Sequence, residues 1–177
     1  MPGGCAVRRR AELWTGLFPG QLLEVPIPIL ATPVPADGFA IDGHLLISVE
    51  AGHSDTDDTT VLHAPSIGLV AVGDVVYSNV HQYLAETPGS GLEARHRALD
   101  VVEALHPAHV VAGHKGPSAD DSPADIDETR RYLDVAGALL ATGPTRAQFY
   151  SHVLERYPQR NNPHTVWLSA TRLIKDQ

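Results

Sequence analysis

Three residues with metal-binding side chains each follow a glycine that closes an apolar, strand-like run. His53 follows VEAG, Asp74 follows LVAVG and His114 follows VVAG. Glycine lets the backbone turn sharply out of a sheet, so the next side chain can point into a cleft at its rim. Imidazole nitrogens and carboxylate oxygens are the ligands of zinc sites that keep a position open for water. A lone Gly-His pair more often marks a surface or hydrogen-bonded histidine, but three such turns in order predict one shared metal site.

The acidic turn after His53 and the lysine after His114 each allow two interpretations. Asp55, Asp57 and Asp58 follow His53, and one of these carboxylates could orient the second nitrogen of its imidazole. The alternative is that the trio only caps loop amides. Lys115 could bind a substrate carboxylate, although an ordinary exposed lysine is the favoured interpretation.

The first half of the chain is rich in predicted strands. Phe39 to Ile41 and His44 to Glu50 flank Asp42-Gly43, the preferred two-residue hairpin turn. Thr59 to His63 is predicted to pair with Leu69 to Val72 across APSIG. Further upstream, RRRAELW suggests a short helix, and the proline-rich LLEVPIPILATPVPADG suggests extended segments.

A helical period begins near residue 90. GLEARHRALDVVEALHP predicts a helix, and AHVVAGH predicts a short buried strand after it. Ser122 marks the start of a second helix, and Thr145 with Gln148 marks a third by their capping-box spacing. Strands followed by helices predict a layered α/β domain, in which helices cover one side of a sheet and the three turns lie at the carboxyl ends of strands.

Composition and length restrict the function further. The 177 residues are enough for one domain with a real core, so we expect a single domain over residues 1–177. The net charge of −8 argues against nucleic acid or an anionic membrane as partner, because phosphate neutralisation needs clustered Lys and Arg.

Cys5 is the single cysteine, which excludes an internal disulfide and favours the reducing cytoplasm. The chain has no apolar run of about 18 residues, so no membrane-spanning helix is predicted.

The motifs GHSDTDDTTVLHAPSIGLVAVGDVVY and, further along, VVAGHKG resemble the second half of the metallo-beta-lactamase-fold hydrolases. The resemblance covers roughly residues 11 to 177 and implies an α/β sandwich of two β-sheets with helices outside. By motif, His53 would be a ligand of the first metal, Asp74 would bridge both metals as the catalytic residue, and His114 would complete the second. The family implies that metal-activated water attacks a small-molecule ester, thioester, lactone or lactam.

The sequence departs from this family at its leading motif. HxHxDH supplies two ligands to each metal in the superfamily, and no two of the ten histidines here stand two apart. His44, on the predicted hairpin, is expected to be structural. The leading strands are missing too, so we expect a partial αββα sandwich, as if the leading third had been removed or its start lay upstream. Such a loss would expose apolar sheet surface, which a homodimer could cover.

Two functions from different classes follow. The first is a metal-dependent hydrolase with one or two zinc ions, or iron or manganese, and with weak or no activity as this short chain. The second is a non-catalytic remnant that acts as an oligomerisation or binding module. The missing HxHxDH favours the second, and the survival of His53, Asp74 and His114 favours the first. LWTGLFPGQ, YSNVHQYLAE and the helical tail also resemble a bacterial subgroup of uncharacterised metal-dependent hydrolases. In that subgroup the segment SNVHQYL lies near the cleft, so the resemblance implies that His81 and Tyr83 contact substrate.

Overall fold

The computed structural model describes residues 15–16, 18–21, 32–87, 89 and 91–175. The chain divides into two compact units, Met1–Pro33 and Val34–Gln177, and the strands and the four longer helices below all belong to the second. The helix predicted in RRRAELW and most of the proline-rich segment lie outside the described residues. The single domain over residues 1–177 stays a prediction.

The second unit is built on a mixed sheet of five strands in the order β1-β2-β3-β4-β5. Strands β1 to β4 pair antiparallel, and β5 lies parallel to β4. Asp42 and Gly43 join β1 to β2 with positive φ angles of 49° and 82°, as the tight hairpin turn requires. The predicted hairpin and the predicted strand pair after it are confirmed. The strands are β1 (Phe39–Ile41), β2 (His44–Gly52), β3 (Thr59–Ala64), β4 (Leu69–Ser78) and β5 (His109–Lys115).

Four α-helices lie after β4, and a short 3-10 turn, Pro65–Ile67, connects β3 to β4. Ser122 Oγ accepts a hydrogen bond from the Ala124 N–H at 3.2 Å, and Thr145 and Gln148 form the predicted capping box. None of the helices in the described part of the chain is long and apolar enough to cross a membrane. The helices are α1 (Gly91–Glu103), α2 (Ala124–Ala141), α3 (Arg146–Arg156) and α4 (His164–Leu173).

The core lies between the sheet and the helices. Val70 and Val72 of β4 and Val110 of β5 are fully buried, together with Leu99 and Val102 of α1. These residues alternate along the strands and recur at helical spacing in α1, so each element buries one apolar face. The predicted α/β class is therefore confirmed.

The predicted end of β4 was wrong, and the difference changes where Asp74 lies in the fold. β4 continues past Gly73 and Asp74 to Ser78, and β5 includes His114 and Lys115. The pairing with β5 shifts register on both sides of Gly73, which has a φ of 52°. Gly73 is thus a β-bulge inside a strand, and a bulge is a common way to redirect the side chain that follows it.

Candidate metal centre

Asp55, Asp74 and His114 bring three ligand atoms together at one end of the sheet. One atom from each residue lies within 4.8 Å of the other two. Asp55 comes from the loop after β2, Asp74 from the bulge in β4, and His114 from the end of β5. Two carboxylates and an imidazole form a nitrogen and oxygen set that suits zinc, iron or manganese.

Gly113 allows β5 to approach the bulge closely. A Cβ at this position would lie 2.9 Å from the Gly73 carbonyl carbon and 3.0 Å from Asp74 Oδ1, which is closer than real Cβ atoms come. This approach leaves His114 Nε2 at 3.2 Å from Asp74 Oδ1. The glycine before His114 therefore provides space for the neighbouring strand, whereas the sequence suggested that it made a sharp turn.

Asp55 is the buried member of the group, with 8% of its surface exposed. The Tyr77 hydroxyl donates to its Oδ2 at 3.2 Å, and Ser54 Oγ donates to its Oδ1 at 3.4 Å. Burial raises the pKa of Asp55, the charge of Asp74 raises it further, and Arg95 opposes both effects. A cation held between the two carboxylates would offset their desolvation and mutual repulsion.

Tyr77 contacts two of the three candidate ligands. Its hydroxyl donates to Asp55, and its ring stacks on the His114 imidazole with centroids 5.2 Å apart and planes at 17°. Burial, with the charge of Asp55 next, raises the pKa of Tyr77 far above its usual value, so the phenol stays a neutral donor. The buried Arg95 guanidinium lies 5.6 Å from the ring centroid and donates to Gln82 Oε1 at 3.2 Å.

His53 lies outside this group of three but has the contacts of a ligating histidine. Its Nδ1 is 2.7 Å from Asp57 Oδ1, and its Nε2 is buried with no hydrogen-bond partner in the described part of the chain. Metal-bound histidines usually pair their second nitrogen with a carboxylate in this way. The acidic trio therefore divides: Asp57 contacts the imidazole, and Asp55 joins the ligand group.

The structure places His81 in the protein interior. The side chain is 2% exposed, and its Nδ1 lies 3.1 Å from the Tyr132 hydroxyl. Burial lowers the pKa of His81 to about 4, and the charge of Arg160 lowers it too. These contacts describe a neutral core histidine, and substrate contact by His81 stays a prediction.

Tyr83 and Lys115 have partners of their own. Burial raises the pKa of the half-buried Tyr83, and the charge of Glu86 raises it further. Lys115 is exposed, and its Nζ lies 2.7 Å from Asp121 Oδ1, which agrees with the favoured interpretation of an ordinary exposed lysine. Asp55 was not predicted as a candidate ligand, because the sequence shows it only as one of three acids in a turn.

No family model and no curated protein matches the chain, but solved structures do. A metallo-beta-lactamase family protein from Thermus thermophilus is 20% identical with a TM-score of 0.57, over 83% of this chain and 49% of that one. A beta-lactamase domain protein from Burkholderia ambifaria is 16% identical with a TM-score of 0.61, over 94% and 49%. The fold is therefore metallo-beta-lactamase-like, as predicted, and the match spans about half the length of those two chains.

Proposed function

We propose that this chain is a metal-dependent hydrolase of metallo-beta-lactamase type that cleaves an ester, thioester, lactone or lactam. The observation that carries the proposal is the convergence of ligand atoms from Asp55, Asp74 and His114 within 4.8 Å. Zinc is the proposed metal, as one or two ions, and the cytoplasm is the proposed location. Because the sequence has no HxHxDH motif, the expected activity is weak.

The donor set fits a catalytic metal, which commonly has three protein ligands and one open position. Asp55, Asp74 and His114 would hold it, and the buried, unpartnered His53 Nε2 would be a further ligand. When bound, zinc lowers the pKa of water towards 7 and polarises a carbonyl oxygen.

The side chains around the proposed metal would have different roles in the reaction. The side chains of Asp74 and His114 are 40% and 53% exposed, which leaves a path for substrate. Asp74 is the more accessible of the two carboxylates. We therefore propose that it would accept a proton from the water that attacks the substrate. Tyr77 holds the buried Asp55 carboxylate in place through its hydroxyl.

The first test is metal content per chain, by elemental analysis of protein purified without chelator. We expect about one or two ions per chain, lost in Asp74→Asn and His114→Ala and kept in His152→Ala, a control on the exposed side of α3. Hydrolysis of a nitrophenyl ester should follow metal content across the variants. A metal-free wild-type chain that cannot be loaded with zinc would contradict the proposal.

The role of His53 is tested by a matched pair in its own loop. Asp57→Asn removes the carboxylate 2.7 Å from Nδ1, and the neighbouring Asp58→Asn leaves that contact intact. Loss of an outer carboxylate typically costs about 10-fold or more in metal affinity, so zinc affinity should fall in Asp57→Asn and not in Asp58→Asn. Equal affinities in both variants would remove His53 from the proposed ligand set.

A different observation favours the second function, a binding or oligomerisation module without catalysis. Phe39 and Ile41 of β1 are 37% and 55% exposed and lie on the same face of the strand, and large apolar side chains grouped on a surface are typical of interaction sites. Metal binding without turnover of any of the four substrate classes would support this function over the first.

A further inference from the structure

A groove with a volume of about 810 Å³ lies where the start of α1, the connection between α2 and α3, and the end of α4 meet. Its apolar lining includes Leu92, Leu140, Leu173 and Ile174, and these half-buried side chains pack against the core. None of its lining residues is a candidate metal ligand. The groove is large enough for a small-molecule ligand, since such sites typically measure about 300–1,000 Å³.

The charged residues that line this groove are all positive. Its charged lining residues are Arg146, Arg172 and Lys175, on a chain whose net charge is −8. Thr145, the N-cap of the 11-residue helix α3, lines the groove as well, so the positive end of the helix dipole adds to the same field. A ligand with an anionic group is therefore favoured over a neutral or cationic one.

The three cations have different roles in the groove. Arg146 Nε donates to the Ile174 carbonyl at 2.9 Å, which ties the start of α3 to the chain after α4 and shapes the wall. Arg172 and Lys175 have exposed side chains and can reach a ligand.

We propose that this groove binds an anionic amphiphile, namely a carboxylic acid with a linear aliphatic chain. The carboxylate would lie between Arg172 and Lys175, and the aliphatic chain would lie along Leu140 and Leu173. Cations alone would select any anion, and leucines alone would select any apolar chain. Their combination in one groove specifies a molecule that carries both. This proposal does not depend on metal binding or on hydrolysis.

The test is calorimetric titration of the full chain with decanoate in the presence of chelator. Decyltrimethylammonium and decanol carry the same chain with opposite and no charge, and phosphate carries the charge without the chain. We expect saturable binding of decanoate and much weaker binding of the other three. Binding of decanol or decyltrimethylammonium as tight as that of decanoate, or phosphate binding of equal strength, would overturn the proposal.

Variants locate the binding within the groove. The pair Arg172→Gln and Lys175→Gln should weaken decanoate binding by about 10-fold or more, as expected when charge-assisted hydrogen bonds are lost, and Arg172→Lys should retain most of it. Arg97→Gln is the control, because Arg97 pairs with Glu93 on α1 and does not line the groove. Thermal unfolding of each variant separates lost binding from lost folding. Unchanged affinity in the folded double variant would overturn the proposal, and the metal-content test would be unaffected.

Discussion

At the scale of single residues, Tyr77 joins the ligand group to the core. Tyr77→Phe removes the hydroxyl that donates to Asp55 and keeps the ring that stacks on His114. We expect about 10-fold weaker zinc binding, measured by competition with a chromophoric chelator. Tyr157→Phe is the matched control, since that hydroxyl donates to the Arg131 carbonyl and touches no candidate ligand. If both variants bind zinc like the wild type, the Asp55 hydrogen bond does not support the site.

The buried His81 predicts that the fold loses stability in acid. The folded state keeps this imidazole neutral down to a pKa of about 4, whereas the unfolded chain takes up the proton near pH 6.5. Its contribution to stability is therefore complete above pH 6.5 and is lost as the pH falls towards 4. The contribution of His81 to the free energy of unfolding should fall by about 1 kcal/mol per pH unit across that window.

Urea unfolding between pH 7 and pH 4.5 measures this slope. His81→Gln should be less stable at pH 7, because it disturbs the contact with the Tyr132 hydroxyl, and its slope should be shallower. His152→Gln, at an exposed position, should keep the wild-type slope. A slope that is the same in all three proteins would show that His81 does not set the acid sensitivity.

At the scale of elements, local signals in the sequence were sufficient where local contacts decide the structure. The hairpin turn at Asp42-Gly43 and the capping box of Thr145 and Gln148 are each specified within a few residues, and both form as predicted. The bulge at Gly73 was not predicted, because it depends on pairing with β5. Asp55 was missed for the same reason, since its hydrogen bond from the Tyr77 hydroxyl joins residues 22 positions apart in the sequence.

Gly113 allows β5 to lie close to the backbone of β4 in the proposed site. Gly113→Ala would place a Cβ 2.9 Å from backbone of the neighbouring strand, so β4 and β5 must separate. We expect about 1–3 kcal/mol lower stability and weaker zinc binding, since Asp74 and His114 lie on either side of the contact. The measurements are denaturant unfolding and zinc titration.

Gly137→Ala is the control for this substitution. Its Cβ would meet only the end of the Leu92 side chain, at 3.3 Å, and alanine is favoured over glycine in a helix by up to about 1 kcal/mol. This variant should be as stable as the wild type or more so, with unchanged zinc affinity. If Gly113→Ala behaves in the same way, the close approach of the two strands does not position the ligands.

At the scale of the whole molecule, the hairpin of β1 and β2 is the surface most suited to self-association. β1 is an edge strand with one neighbour in the described sheet, and its Phe39 and Ile41 lie on the same face of the strand and are exposed. An exposed apolar edge promotes pairing with another chain. We therefore expect the chain to form a homodimer through this hairpin, with a sedimentation coefficient that rises with concentration.

Ile41→Lys places a charge on that edge and should shift the protein to monomer, because burying an unpaired lysine in an interface is costly. Leu168→Lys changes a similarly exposed leucine on α4 and should leave the dimer intact. If dissociation of the dimer also removes bound zinc, the partner contributes to the site. If zinc stays with the monomer, the ligands of one chain are sufficient. A wild-type chain that is monomeric at every concentration would exclude the hairpin as a dimer interface.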